Sequence, residues 1–308
     1  MQIAEHIDNN AIVEPIAEKF QAEKKRLRRD NKLERTASRI WEIDFIRGVC
    51  VILMLFDHFM YDIMDIFAPE WFAATGNEAF LDLQSFAAEY WVSTLRTVVH
   101  PIVLMCFFII CGLSSSFSRN NFKRGMIALL LALAITGVTV LMDMPILFGV
   151  LHMLAVSILL MAFIRLISRK RPYMTAIISL VLGVAIIIGG YVFQSIDVKA
   201  DNYLAFISEA FVDSGFNSFD YFPIFPNTGF VLIGAALAPF LYPKKRTLFP
   251  SLDTALHWYR PVNFFGRHAL VVYALHQIVW FVLLLIATVF IMPNGFEAIG
   301  DILSSIFG

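Results

Sequence analysis

The residues best suited to chemistry crowd into one stretch, Arg39 to Asp62, RIWEIDFIRGVCVILMLFDHFMYD. It carries Asp44, Arg47, Asp57, His58 and Asp62, with Asp65 just beyond. At about 100° per residue, Asp44, Arg47, His58, Asp62 and Asp65 fall on one narrow stripe of a helix, and Arg47 and His58 lie roughly 16 Å apart along its axis. A histidine in that setting can accept a proton from a hydroxyl or amine, or can itself carry an acyl group. Asp62, four residues on, is expected to reach the imidazole, fix its tautomer and stabilise an imidazolium. Asp44 is placed to brace Arg47 from one turn below, whereas Asp57 points about 100° away from His58 and needs another role. The rest of the stretch is apolar enough for a membrane span, where each ionisable group costs at least ~2.5–3.5 kcal/mol. Such a stripe must face protein or a water-filled cavity. It marks a site, unless it only ties helices together.

Other stretches add candidates. His100 precedes Pro101, and His152 lies in FGVLHMLAVS. The segment NFFGRHALVVYALHQIVW supplies Arg267 and His268, then Tyr273, His276, Gln277 and Trp280. Tyr273, His276 and Trp280 share a face by their three- and four-residue spacing. Taken singly, each also suits a helix-packing hydrogen bond. Arg47, Arg119, Lys123, Arg124, Arg267 and His268 surround one predicted mouth and could neutralise phosphates of a nucleotide-bearing donor. The same residues would satisfy membrane topology with no ligand at all. No two of these histidines stand in ligand-like spacing, so no metal is expected.

The elements that must position these groups follow from composition. The chain is 58% hydrophobic and 16% charged, with mean hydropathy +0.71, which excludes a soluble globular fold and makes nucleic-acid binding a poor explanation. Apolar runs near the length needed to cross a bilayer recur at about 43–67, 97–117, 124–142, 146–167, 173–194, 222–242 and 266–292. The expected fold is all-α, a polytopic membrane bundle of about seven transmembrane helices spanning 39–293. A basic, amphipathic cytoplasmic arm (1–38) precedes it, and a short amphipathic tail (294–308) follows. The first forty residues lack the apolar core of a signal peptide. An additional membrane segment within 70–95 stays open, and no transporter-like internal repeat is visible. Basic connections alternate with acidic ones, which predicts a cytoplasmic N-terminus and an external C-terminus in a multi-pass plasma-membrane protein. Cys50, Cys106 and Cys111 all fall in predicted spans and read as small buried hydrophobes rather than a disulfide framework.

Taken in order, EIDFIRGVCVILMLFDHF, HPIVLMCFFIICGLSSSFSR, FGVLHMLAVSILL, DYFPIFPNTGFVLIGAAL and NFFGRHALVVYALHQIVW resemble blocks of the membrane acyltransferases built on the heparan-alpha-glucosaminide N-acetyltransferase catalytic domain, in its shorter bacterial form. The first is similar to that family's Asp-x-x-Arg-Gly signature. The separation of Arg47 and His58 also resembles the first helix of the broader transmembrane acyltransferase group. That resemblance implies His58 as the catalytic residue and Arg47 as a binder of the acyl-CoA donor. It implies acetyl-CoA as donor substrate, and a sugar hydroxyl or amine of an extracytoplasmic glycan or glycolipid as acceptor. With it, Asp62 becomes the partner of His58 in catalysis. Asp44, Arg119, Arg124 and Arg267 join Arg47 as donor-binding candidates. His100, His152, Tyr273, His276 and Gln277 are acceptor or oxyanion candidates. The expected partners are membrane lipids, acyl-CoA and the sugar acceptor, with a homodimer allowed. General-base transfer and an acetyl-histidine intermediate stay equally open. Behind the acyltransferase stand two rival readings: a proton-coupled transporter that uses the Asp/His stripe as a relay, and a non-catalytic polytopic scaffold.

Overall fold

Backbone amides and carbonyls in hydrocarbon must be satisfied within their own segment, so long apolar runs fold as helices. The computed structural model describes residues 23–24, 26, 40–141, 143–196, 202–213, 216–249, 259–292 and 294–307. Most of the expected N-terminal arm, with Asp197 and Asp201 of the acidic connection, lies outside the described residues.

Helix α1 spans Trp41–Asp62 and runs on into a π-helical turn, Ile63–Phe67. Two shorter helices follow, α2 (Ala68–Thr75) and α3 (Glu78–Val92), joined at Gly76, whose φ of 64° is left-handed. Then come α4 (Thr94–Phe117), α5 (Asn121–Leu141), α6 (Val150–Ile167), α7 (Pro172–Ser195) and α8 (Ile224–Leu241). The chain closes with α9 (Arg260–Arg267), α10 (Ala269–Ile291) and α11 (Gly295–Phe307). Six helices, α4 to α8 and α10, are long and apolar enough to cross a membrane. Helix α1 matches them in length with 22 residues, but Glu42, Asp44, Arg47, Asp57 and Asp62 set it apart. The protein is a multi-pass helical membrane bundle. Among the described residues the only extended pairings are two isolated parallel bridges, Phe148 with Tyr221 and Ser208 with Phe225.

Three local differences from the sequence reading matter. The 70–95 region forms the amphipathic pair α2–α3, and α3 packs against the π turn, α1 and α4. The last long run is broken at His268 into α9 and α10. The π turn ends the simple stripe on α1. Asp62 is fully buried, while Asp65 turns outward and accepts a hydrogen bond from Tyr61 Oη at 2.9 Å.

Helices α6 and α8 are the best-buried spans, and α8 packs against α4, α6 and α7. Lipid tails are as apolar as leucine, so contact area and close backbone approach must hold such helices together. Glycine provides the approach. A Cβ on Gly112 of α4 would sit 1.7 Å from the Val231 carbonyl oxygen, and one on Gly234 of α8 would sit 1.9 Å from that of Ile109. Large apolar side chains such as Leu130, Val181, Ile278 and Phe290 point away from the protein, as a hydrocarbon surround requires. Of the three cysteines, all free, Cys50 is buried, Cys111 partly so and Cys106 exposed, which corrects the expectation that all three are buried.

Candidate active site

The Asp-x-x-Arg-Gly motif is where α1, α4 and α9 meet. Arg47 Nη1 donates to Asp44 Oδ1 at 3.1 Å and to the Gly266 carbonyl at 3.0 Å, and its Nη2 donates to Ser114 Oγ. Arg267 Nε lies 3.4 Å from Asp44 Oδ2, so one carboxylate serves two guanidinium groups. Asp44 braces Arg47 as its spacing predicts. The motif glycine allows this crossing: a Cβ on Gly48 would lie 2.0 Å from the Val262 carbonyl oxygen, and one on Gly266 would lie 1.8 Å from that of Asp44. Arg119 and Arg124, at the α4–α5 junction, are exposed, and their side chains have no hydrogen bond or ion pair among the described residues.

Toward the other end of α1, three expected residues come together. His58 and His276 meet edge to face with ring centroids 4.6 Å apart. Tyr273 lies beside His276 at 5.5 Å. Each histidine donates from Nδ1 to a carbonyl of its own helix, His58 to Met54 at 2.9 Å and His276 to Tyr273 at 2.6 Å. Those bonds leave Nε2 as the unprotonated nitrogen of each neutral ring. His276 Nε2 is buried with no partner.

The expected pairing of Asp62 with His58 is not what the structure holds. Asp62 Oδ1 accepts from Gln277 Nε2 at 2.7 Å, and its Oδ2 is buried without a partner. The i,i+4 spacing permitted contact, but the His58 ring turns back along its own helix to Met54. A backbone carbonyl therefore does the orienting that Asp62 was expected to do. Trp280 Nε1 donates to the Leu55 carbonyl at 3.1 Å and closes the α1–α10 contact just below.

His152 and His100 are held elsewhere. His152 Nδ1 accepts the Gly149 N–H at the start of α6, and its Nε2 donates to Thr136 Oγ1, both at 3.2 Å. With both nitrogens committed, it caps and ties helices. His100 Nε2 stands 3.5 Å from Asp57 Oδ2. Asp57, the acid pointing off the stripe, is the hub of its own cluster. It accepts from Arg96 at 3.0 and 3.2 Å and from Tyr90 Oη at 2.5 Å. The Arg96 guanidinium also covers the Trp91 ring at 3.6 Å. This cluster pins α3 and α4 to α1.

Sequence reasoning missed one member of the site. Asp220, in the connection before α8, reaches in to accept from Tyr273 Oη at 2.8 Å and from the Val150 N–H at 3.1 Å. Burial pushes its carboxyl above the ordinary range, against those two hydrogen bonds and the nearby His58 and His152. A loop residue has no periodicity to mark it, and among several acids in the same connection nothing singled it out. Among the described residues no three His, Cys, Asp or Glu side chains gather as metal ligands.

A family model described as heparan-alpha-glucosaminide N-acetyltransferase, catalytic, matches residues 39–278. The matched stretch begins just before α1 and ends within α10, so it contains the Arg47 junction, the His58–His276 pair and Asp220. No curated protein and no solved structure matches the chain.

Proposed function

Because the chain belongs to the heparan-alpha-glucosaminide N-acetyltransferase catalytic family, a family of membrane acetyltransferases, we propose that it moves an acetyl group from acetyl-CoA to a sugar hydroxyl or amine, with His58 at the reacting centre. The observation that carries this reading is the state of His58. Its Nδ1–H is committed to the Met54 carbonyl, so Nε2 keeps the lone pair that a base or nucleophile needs. His58 is only partly buried, which leaves room for a substrate.

The basic end of the bundle, where Arg47, Arg119, Arg124 and Arg267 gather, faces the cytoplasm in this reading and meets the donor phosphates. Arg47 is itself bonded to Asp44, Gly266 and Ser114, so it acts there as the fixed centre of the donor mouth. The exposed Arg119 and Arg124 supply the unpaired charge. The pantetheine arm extends along α1 and presents the thioester to His58.

The acceptor enters from the opposite, acidic end. His58 Nε2 takes the proton of its hydroxyl or amine as that oxygen or nitrogen bonds to the thioester carbon. The carbon–sulfur bond then breaks, and the leaving thiolate receives the proton from the imidazolium. An acetyl group on Nε2 as an intermediate uses the same atoms in two steps. His276 Nε2, which carries a lone pair, accepts from the acceptor's hydroxyl or amine in this reading, and the second amide N–H of Gln277 donates to the carbonyl oxygen.

His58→Ala tests the assignment. The purified variant should fold and insert, yet release no thiol from acetyl-CoA in the presence of a sugar acceptor. Wild-type turnover in that variant sinks the mechanism. Proton-driven flux without acetyl-CoA consumption by the native chain would instead support a carrier that uses the same stripe.

A further inference from the structure

Asp220, in the connection before α8, bonds through its carboxylate to both the start of α6 and the side chain of Tyr273. Its placement is built from several directions. The Phe222 N–H donates to the Phe148 carbonyl at 2.9 Å and the Phe219 N–H to the Pro145 carbonyl at 3.1 Å, so the strand-like 218–222 segment lies along 145–148. Ser218 Oγ accepts from the Leu147 N–H at 3.2 Å. Gly149 leaves the space: a Cβ there would sit 2.2 Å from Asp220 Oδ2. The carboxylate then rests at the N-terminus of an 18-residue helix, where exposed N–H groups and the helix dipole favour negative charge.

Both hydrogen bonds fall on the same oxygen, Oδ2. Through the first, Asp220 fixes the Tyr273 ring. Tyr273 lies against the His276 ring, and its backbone carbonyl holds His276 Nδ1. His276 in turn meets His58 edge to face. The connection between α7 and α8 thus reaches the reacting centre by direct contacts: Asp220, Tyr273, His276, His58.

We propose that Asp220 is a positioning residue for acetyl transfer, acting through the Tyr273 hydroxyl to hold the His276–His58 pair in register. The proposal rests on the acetyltransferase reading of the site. It makes the α7–α8 connection part of the machinery rather than a linker, and it gives Tyr273 a defined task.

Because one oxygen takes both bonds, Asp220→Asn can present its amide oxygen to the same donors and keep the geometry, while Asp220→Ala cannot. The test uses the full chain in lipid nanodiscs, acetyl-CoA as donor, and glucosamine as probe acceptor because it offers an amine and hydroxyls. Asp220→Ala should lower kcat by about tenfold or more, with KM for acetyl-CoA within about twofold. Asp220→Asn should stay within about threefold of wild type. Tyr273→Phe should mimic Asp220→Ala, and the double variant should be no worse than either, since the two act as one unit.

Effects that multiply in the double variant, or a loss that appears only in KM, overturn the proposal. A second measurement needs no turnover: carbethoxylation of His276 by diethyl pyrocarbonate, read by mass spectrometry. Labelling should speed up several-fold in Asp220→Ala and stay at the wild-type rate in Asp220→Asn. Unchanged labelling in Asp220→Ala overturns the role of Asp220 whether or not the protein transfers acetyl groups. Retained activity in His58→Ala overturns the acetyl-transfer mechanism and leaves that labelling result standing.

Discussion

Gly266→Ala measures how much the α1–α9 crossing contributes to the fold. The new Cβ would lie 1.8 Å from the Asp44 carbonyl oxygen, 2.7 Å from its carbon and 3.0 Å from Gly48 N. All three are backbone atoms, so no side chain can rotate out of the way. Restoring van der Waals contact requires α9 to retreat from α1 by roughly 1.5 Å. Overpacking of this kind costs about 1–3 kcal/mol. The retreat also withdraws the Gly266 carbonyl from Arg47, a hydrogen bond to a charged group worth about 1.5–3 kcal/mol. The two effects together predict a loss of about 3–5 kcal/mol, or a fall in melting temperature of roughly 5 °C or more. The assay is thermal unfolding of the purified protein in detergent, followed by tryptophan fluorescence. Gly137→Ala in α5 is the control, because nothing lies within 4 Å of a Cβ placed there. That change should be neutral or stabilising, since alanine is the better helix former. A Gly266→Ala protein that melts within about 1 °C of wild type would show that the crossing yields cheaply, and the reasoning would fail.

Other outcomes follow from the same contacts. Arg96→Met leaves Asp57 buried without its main counter-charge and should destabilise by about 3–5 kcal/mol in chemical unfolding; a loss below about 1 kcal/mol would refute the hub role given to Asp57. His152→Ala should lower stability by about 1–3 kcal/mol, yet leave kcat of the folded fraction near wild type, because both ring nitrogens serve structure; a selective loss of kcat would return His152 to the site. Acetyl-CoA at about 100 times its dissociation constant should stabilise the protein by about 2.7 kcal/mol, and Arg124→Ala should shrink that shift. An undiminished shift would remove Arg124 from the donor mouth.

What could be read in the sequence follows from what repeats along a helix. The α1 stripe follows from a fixed turn angle, and so do the Asp44–Arg47 brace and the shared face of Tyr273, His276 and Trp280. The convergence of α1 with α10 was legible only as two polar faces that each needed a partner; the His58–His276 contact joins residues 218 apart in the chain. Asp62 shows the limit of spacing. It told which groups could touch, but Gln277 from another helix took the carboxylate, and the nearer Met54 carbonyl took the imidazole. Asp57 was seen to point off the stripe, while its partners on α3 and α4 were hidden in a region that reads as a connection. Asp220 depends on pairing between two segments about seventy residues apart, and no local pattern encodes that. The motif glycine was quoted as part of a signature, and only the crossing with α9 gives it a physical reason.

The π turn after Asp62 has a consequence for the phase of the whole first hairpin. Each π-type bond spans one residue more than an α-type bond, so the turn inserts a residue without adding a loop. A helical wheel drawn from Trp41 must therefore be restarted at Ile63. Carried through unbroken, it would keep Asp65 on the same line as Asp62 and misplace Phe67 and Trp71. With the phase reset, Phe67 and Trp71 turn inward, and Trp71 Nε1 reaches Thr288 Oγ1 on α10 at 2.9 Å. The polar line on α1 thus has a defined terminus, one carboxylate past His58, sealed by aromatic rings.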